Sequence, residues 1–185
     1  MTETVPTRRL FFALWPDDET RVRLARAART VASPCGGRPL PAGNLHITLE
    51  FLGNVPADAL ECLLACGNGY PGESFCLTVD QAGSFRHTGI VWLAPVEVPA
   101  GLTRLYEHLH TGVARCGIST DERPFRPHLT VMRKARRGPA VALVEPIPWS
   151  VDDFVLVESV TFPEGSRYQV LRRWPLARAG TAAGS

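Results

Sequence analysis

The sequence predicts a mixed helix-and-strand fold of two lobes related by pseudo-twofold symmetry. Two observations carry this. Apolar, strand-like runs alternate with amphipathic helical stretches, and one order of parts (strand, helix, loop, then His-x-Thr) occurs twice in 185 residues. The first pass covers 10–15, 17–32, 33–45 and 46–49, and the second covers 90–94, 101–116, 117–127 and 128–131. Repeats of about 80 residues, matching in order and spacing rather than identity, suit a duplicated unit.

Each element has a local reason. "RLFFALW" (9–15) is a compact apolar run ending at Pro16, as a buried strand would. "DDETRVRLARAARTVA" (17–32) opens with acids and carries arginines later, the order a helix dipole favours, with Leu24, Ala28 and Val31 on one face. A loop rich in Pro and Gly leads to the strand "HITLEFL" (46–52). Leu60, Leu63 and Leu64 recur at helical spacing within 56–67, and Phe75, Leu77 and Val79 alternate along a strand over 74–80. "GIVWLAP" (89–95) is a further strand. Leu102, Leu105, Leu109, Val113 and Cys116 fall at steps of three and four, marking a helix from about 101 to 116. "HLTVM" follows a loop, and 151–160 and 167–174 are the last two strands, with a turn at "PEGS".

Twenty Lys and Arg against eighteen Asp and Glu give a formal charge of +2, too small to hold long nucleic acid by charge alone. An anionic ligand must be gripped locally. Five cysteines (Cys35, Cys62, Cys66, Cys76, Cys116) without paired CxxC knuckles suggest neither a complete disulfide framework nor a zinc site, and reduced, mostly buried thiols are expected. "TRRLFF" begins like a twin-arginine export signal, but its apolar run stops at "PDDE", and nothing approaches the roughly 18 apolar residues of a membrane span. A cytoplasmic location is expected.

The chemistry lies in the doubled motif. Residues i and i+2 share a strand face, so His46 and Thr48 point one way and Ile47 and Leu49 the other, and His128 and Thr130 do the same against Leu129 and Val131. A single His-x-Thr on a strand is common by chance; two, each after an equivalent strand and helix, are not. Two imidazoles facing across a cleft can take a proton from a nucleophile and give one to a leaving oxygen. Two hydroxyls can bond the free oxygens of a phosphate between them. Two histidines lack the third protein ligand of a zinc site, so no metal is expected. No P-loop, dinucleotide fingerprint or G-x-S-x-G elbow is present.

These motifs, with "RLFFAL", "FLGNV", "RPFRPHLTVMR" and "YQVLRRWPL" in their expected flanks, resemble the 2H phosphoesterase superfamily, in its RNA 2′,3′-cyclic phosphodiesterase branch, also called 2′-5′ RNA ligase. The resemblance spans roughly 8–176. It implies a bilobal α+β fold with antiparallel sheets lining a central cleft and helices packed outside. The implied reaction hydrolyses RNA 2′,3′-cyclic phosphodiester ends to 2′-phosphomonoesters without metal or nucleotide cofactor. By position, His46 matches the proton donor to the leaving 3′ oxygen, His128 the base that activates water, and Thr48 and Thr130 the phosphate-binding threonines. Arg133 sits where many members carry an arginine, as a phosphate or RNA contact. Five positions beyond His128, it falls on the opposite strand face, so it reaches the cleft only if the strand twists, bulges or ends there.

Phe125, in the approach to His128, is the best aromatic candidate for stacking on a nucleobase, ahead of Phe11, Phe12 and Trp92, for which core packing is expected. "RKARR" (133–137) forms a basic lip or a solvated turn. Glu50 shares the parity of His46 and Thr48 and could touch the site's edge. His87, His108 and His110 are expected at or near the surface. The expected organisation is one bilobal domain over 8–176, a flexible 1–7 and a disordered 177–185, acting as a monomer. Its partners are RNA with 2′,3′-cyclic phosphate ends or small cyclic nucleotides. Alternatives are another cyclic phosphate, such as one on ADP-ribose, a 2′-5′ linkage, reverse 2′-5′ ligation, or an RNA-end or nucleotide-binding module that catalyses nothing.

Overall fold

The computed structural model describes residues 7–162 and 165–178. In chain order the elements are β1 (Thr7–Leu14), α1 (Asp18–Ala32), β2 (Arg38–Pro39), β3 (Ile47–Pro56), α2 (Leu60–Asn68), β4 (Phe75–Phe85), β5 (Ile90–Ala94), α3 (Ala100–Arg115), β6 (Leu129–Arg133), β7 (Leu143–Val151), β8 (Asp153–Phe162) and β9 (Gly165–Pro175). Asp17 caps α1 by accepting a bond from the Thr20 amide, while Asp18 and Glu19 in its first turn complement the helix dipole.

The strands run antiparallel in the order β7-β4-β5-β6-β3-β1-β8-β9, with β2 beside β6. That order is two four-stranded halves placed edge to edge, β6 corresponding to β3, β5 to β1, β4 to β8 and β7 to β9. One rung joins them, Ile47 opposite Leu129. The three helices cover one face, over a core that includes Phe12, Leu14, Ile47, Leu49, Leu93, Leu105, Leu129, Phe154 and Trp149. A smaller cluster of Phe11, Ala13, Val155 and Val157 lies on the opposite, open face, as the period of two requires.

The helices are exchanged between the halves. α1, from the first repeat, packs on β5, β6 and β7 of the second half, while α3 packs on β3 and α2 on β9 of the first. The α+β class, the antiparallel strand pairing and the helices outside are as the resemblance implies, with the strands joined in one nine-stranded sheet.

Some details differ. β7 is not among the strands the sequence predicts, because Pro146 and Pro148 interrupt it; it lies at the sheet edge, where prolines are tolerated. Cys62 and Cys116 are joined in a disulfide, with Cα atoms 5.8 Å apart, which corrects the expectation of five reduced thiols. The packing of α2 on α3 brings the two together across 54 positions, a proximity no spacing rule contains. Cys35, Cys66 and Cys76 are free. Thr7 already belongs to β1, and Ala177 is tied to Glu73 by a bridge, so the fold reaches slightly beyond both expected ends. The expectations for 1–6 and 179–185, and for Pro163 and Glu164 of the turn, lie outside the described residues. Among the described residues no helix is long and apolar enough to cross a membrane.

Candidate active site

The rung between Ile47 and Leu129 organises the site. Both side chains are fully buried on the helix face, so His46, Thr48, His128 and Thr130 all face the open side. Continuing the antiparallel register sets His46 opposite Thr130 and Thr48 opposite His128, with the two imidazoles diagonal across the rung.

Each imidazole is held in the same way. His46 Nδ1 donates to the Asn44 carbonyl oxygen at 2.7 Å, and His128 Nδ1 to that of Arg126 at 2.8 Å. Spending Nδ1–H on a carbonyl leaves Nε2 of each neutral ring as the free acceptor. The Thr48 hydroxyl lies 3.2 Å from His46 Nε2, to which it can donate. Asn44 is itself anchored, its Nδ2 donating to the Ser166 carbonyl at 3.2 Å.

Aromatic rings surround His46, and one flanks His128. Trp15 and Phe11 stack on His46 with centroids at 5.3 and 4.9 Å, and Tyr168 meets it edge-on at 5.3 Å. Phe85 meets His128 edge-on at 5.1 Å. Burial, with lesser effects from the Arg133 and His128 charges, pushes the His46 pKa from 6.5 down to about 4 against the pull of its Asn44 bond. Burial also lowers that of His128.

A matched pair of β-bulges decides which residues join them. The β1–β3 register skips Leu49 and the β5–β6 register skips Val131, each three residues after its histidine. An extra residue reverses strand parity, so position five after each histidine returns to the open face. Phe51 and Arg133 are those residues, and both line the cleft cavity with His46 and Thr48. The condition set for Arg133 is thus met by a bulge.

The same bulge sends Glu50 to the helix face. There it is buried, accepts a bond from His110 Nδ1 at 2.8 Å, and has its pKa raised by burial. Phe125 also lies away from the cleft cavity, stacked on Tyr106 of α3 with centroids 4.1 Å apart.

The cavity has a volume of about 670 Å³ and extends from His46 towards Arg9, Arg38 and Arg167. With Arg133 these make four arginines and no carboxylate in its wall. The Arg9 guanidinium lies 5.0 Å over the Phe51 ring, which is 48% exposed and leaves a face to the cleft. Sequence reasoning did not single out Trp15, Tyr168, Asn44, Phe51, Arg9, Arg38 or Arg167. Tyr168 and Arg167 arrive from β9, more than a hundred residues from His46 in the chain.

An antiparallel sheet carrying two His-x-Thr strands beside an arginine-lined cleft defines a 2H phosphoesterase. The chain belongs to the 2′-5′ RNA ligase superfamily, whose family model matches residues 16–161. It is 38% identical over 175 residues to the RNA 2′,3′-cyclic phosphodiesterase of Escherichia coli K12, covering 92% of this chain and 98% of that protein. With the Thermus thermophilus protein of the same name it shares 34% identity over 179 residues, covering 91% and 90%. The crystal structure of E. coli LigT complexed with 3′-AMP superposes with a TM-score of 0.83 at 35% identity, covering 93% of this chain and 99% of that one.

Proposed function

We propose that this protein is a cytoplasmic enzyme that hydrolyses RNA 2′,3′-cyclic phosphodiester ends to 2′-phosphomonoesters, without metal or nucleotide cofactor. The observation that carries the reading is the β3–β6 rung, which turns both His-x-Thr pairs to one face beside an arginine-lined cavity. The names of the relatives in E. coli, T. thermophilus and Archaeoglobus fulgidus support the same activity.

The chemistry follows from the donor set. The cyclic phosphate sits between the imidazoles, with Thr48 and Thr130 bonding its free oxygens and Arg133 offsetting its charge. His128 Nε2 takes a proton from water as the water oxygen bonds to phosphorus. The P–O3′ bond breaks in line, and protonated His46 gives its Nε2 proton to O3′. The terminal nucleoside extends from His46 into the cavity, where Phe51 under Arg9 offers a ring face for stacking. Arg38 and Arg167 lie along the path of phosphates on its 5′ side. The unit acts as a monomeric two-lobed domain.

The test is turnover of an oligoribonucleotide ending in a 2′,3′-cyclic phosphate, in EDTA, with identification of the product. A 2′-phosphate formed at undiminished rate is expected, and H46A and H128A each abolish it with the fold intact. Loss of turnover with chelator, or a 3′-phosphate product, overturns the mechanism.

A further inference from the structure

Both cleft imidazoles donate from Nδ1 to a backbone carbonyl, but the two carbonyls are held in different ways. Asn44 closes a short 3₁₀ turn in which its amide donates to the Pro41 carbonyl at 2.9 Å and the Leu45 amide to that of Ala42 at 3.2 Å. Its side chain is bonded to Ser166 as well. Arg126 sits in the connection from α3 to β6. That connection leaves the helix at Ile118, whose amide donates to the Val113 carbonyl at 3.4 Å. From Ser119 to Pro127 its backbone makes no backbone hydrogen bond with the rest of the chain, among the described residues. Side chains must therefore hold the carbonyl that orients His128.

Two contacts do so. Phe125, beside Arg126, lies flat on Tyr106 with 4° between the ring planes. Nearer the helix, the Asp121 amide favours the charged form of the Glu50 carboxylate. Glu50 is 3% exposed and takes the bond from His110 Nδ1, which lies 3.3 Å from the Tyr106 hydroxyl. One chain of contacts thus runs from β3 through His110 and Tyr106 on α3 to Phe125. The titratable groups facing Glu50 are His110 and Tyr106 from α3 and Asp121 from the loop, whose own carboxylate is paired with Arg123.

None of these residues lines the cleft cavity. Burying a carboxylate costs stability that its pairing offsets only in part, so the return lies in geometry. Resting on the role proposed for His128 as the base, we propose that Glu50 and His110 are positioning residues for it. They fix Tyr106 and the 119–127 loop so that the Arg126 carbonyl holds His128 Nδ1–H and Nε2 is left bare towards the attacking water. Were the loop to shift, the ring could carry its proton on Nε2 instead, and in that form it accepts nothing from water. The strand of the first His-x-Thr motif in this way orients the histidine of the second.

The test reads the tautomer and the turnover of the same full-length protein. Histidine is labelled with ¹⁵N, and two-bond proton–nitrogen correlations are recorded at about pH 8, where the cleft imidazoles are neutral. In the native protein both His46 and His128 should carry the proton on Nδ1. E50A and F125A should each shift His128 towards the Nε2–H form while leaving His46 unchanged. On an oligoribonucleotide ending in a 2′,3′-cyclic phosphate they should lower kcat about tenfold with KM within about twofold. E50Q, whose amide oxygen can still accept from His110 and Asp121, should restore the native tautomer and rate. Because both substitutions act through one loop, E50A/F125A should fall little below either single variant. An unchanged His128 tautomer in E50A and F125A, a loss confined to KM, or additive losses overturns the inference. Should E50A fail to fold, F125A, at a half-buried loop position, carries the same readings. Absence of hydrolysis by the native protein overturns the role of His128 as a base and the inference with it, whereas native hydrolysis with an unmoved tautomer in the variants overturns the inference alone.

Discussion

Replacing His46 by Asn should remove a defined part of the protein's acid sensitivity. In the unfolded chain its imidazole titrates near the ordinary 6.5, and in the fold at about 4. Above about pH 6.5 both states are neutral there, so the group costs nothing. As pH falls below this, the unfolded chain takes up a proton that the folded site refuses, and stability is lost until the folded imidazole titrates. A window of about 2.5 units corresponds to about 3 kcal/mol. Most of it is gone by about pH 4.5. With a urea slope of about 2 kcal/mol/M for a chain of this size, the midpoint should drop about 1 M further in the native protein than in H46N between about pH 7.5 and 4.5. His128 and Glu50 remain in both proteins, so the difference isolates His46. Parallel losses in the two proteins would show that burial does not depress this pKa.

Other outcomes follow from the same geometry. Because His46 is neutral at rest and the proposed mechanism needs it protonated, a nucleoside 2′-monophosphate should bind with uptake of a proton near neutral pH. Calorimetry in two buffers of different ionisation enthalpy would detect it. T48V and T130V should each lower kcat/KM about tenfold, the worth of roughly one hydrogen bond to phosphate, with unfolding midpoints little changed. E50L, which removes the carboxylate partner of His110 and leaves it the Tyr106 hydroxyl, should cost about 1 kcal/mol of stability in urea titrations. The Glu50 contribution has the sign opposite to that of His46: its raised pKa means stability is lost as pH rises from the ordinary Glu value through the folded one. C62S/C116S should lose about 2–4 kcal/mol, since the bond closes a loop spanning 54 positions.

The part of the site legible in the sequence is the part governed by short-range periodicity. His-x-Thr on an apolar strand places an imidazole and a hydroxyl on one face by the period of two, and the repeated order of elements pairs the strands. That same period puts Glu50 on the wrong face. The bulge at Leu49 is a register shift against β1, and nothing in "HITLEFLGNV" marks it. Arg133 depends on the same device at Val131, so its reach into the cleft follows from no local rule either. Phe51 depends on the bulge at Leu49, and Trp15 and Tyr168, like the walls formed by Arg38 and Arg167, depend on strands and loops far apart from His46 in the chain. Phe125 is close to His128 in sequence; in space the flat face of Tyr106 claims it.

The exchange of helices between the half-sheets bears on how the molecule comes apart. α1 seals the sheet half carrying His128, and α3 seals the half carrying His46. Neither repeat therefore encloses an apolar core of its own, and severing the chain between them would leave two fragments with exposed faces rather than two small domains. Heat or denaturant should take both repeats through one cooperative transition, with the catalytic cleft persisting until the whole core gives way. The reliance on contacts between distant parts of the chain carries a kinetic cost as well, for α3, which packs on β3, and β8 and β9, which complete the same half-sheet, all come from later in the chain, so folding should be slow for a protein of this length.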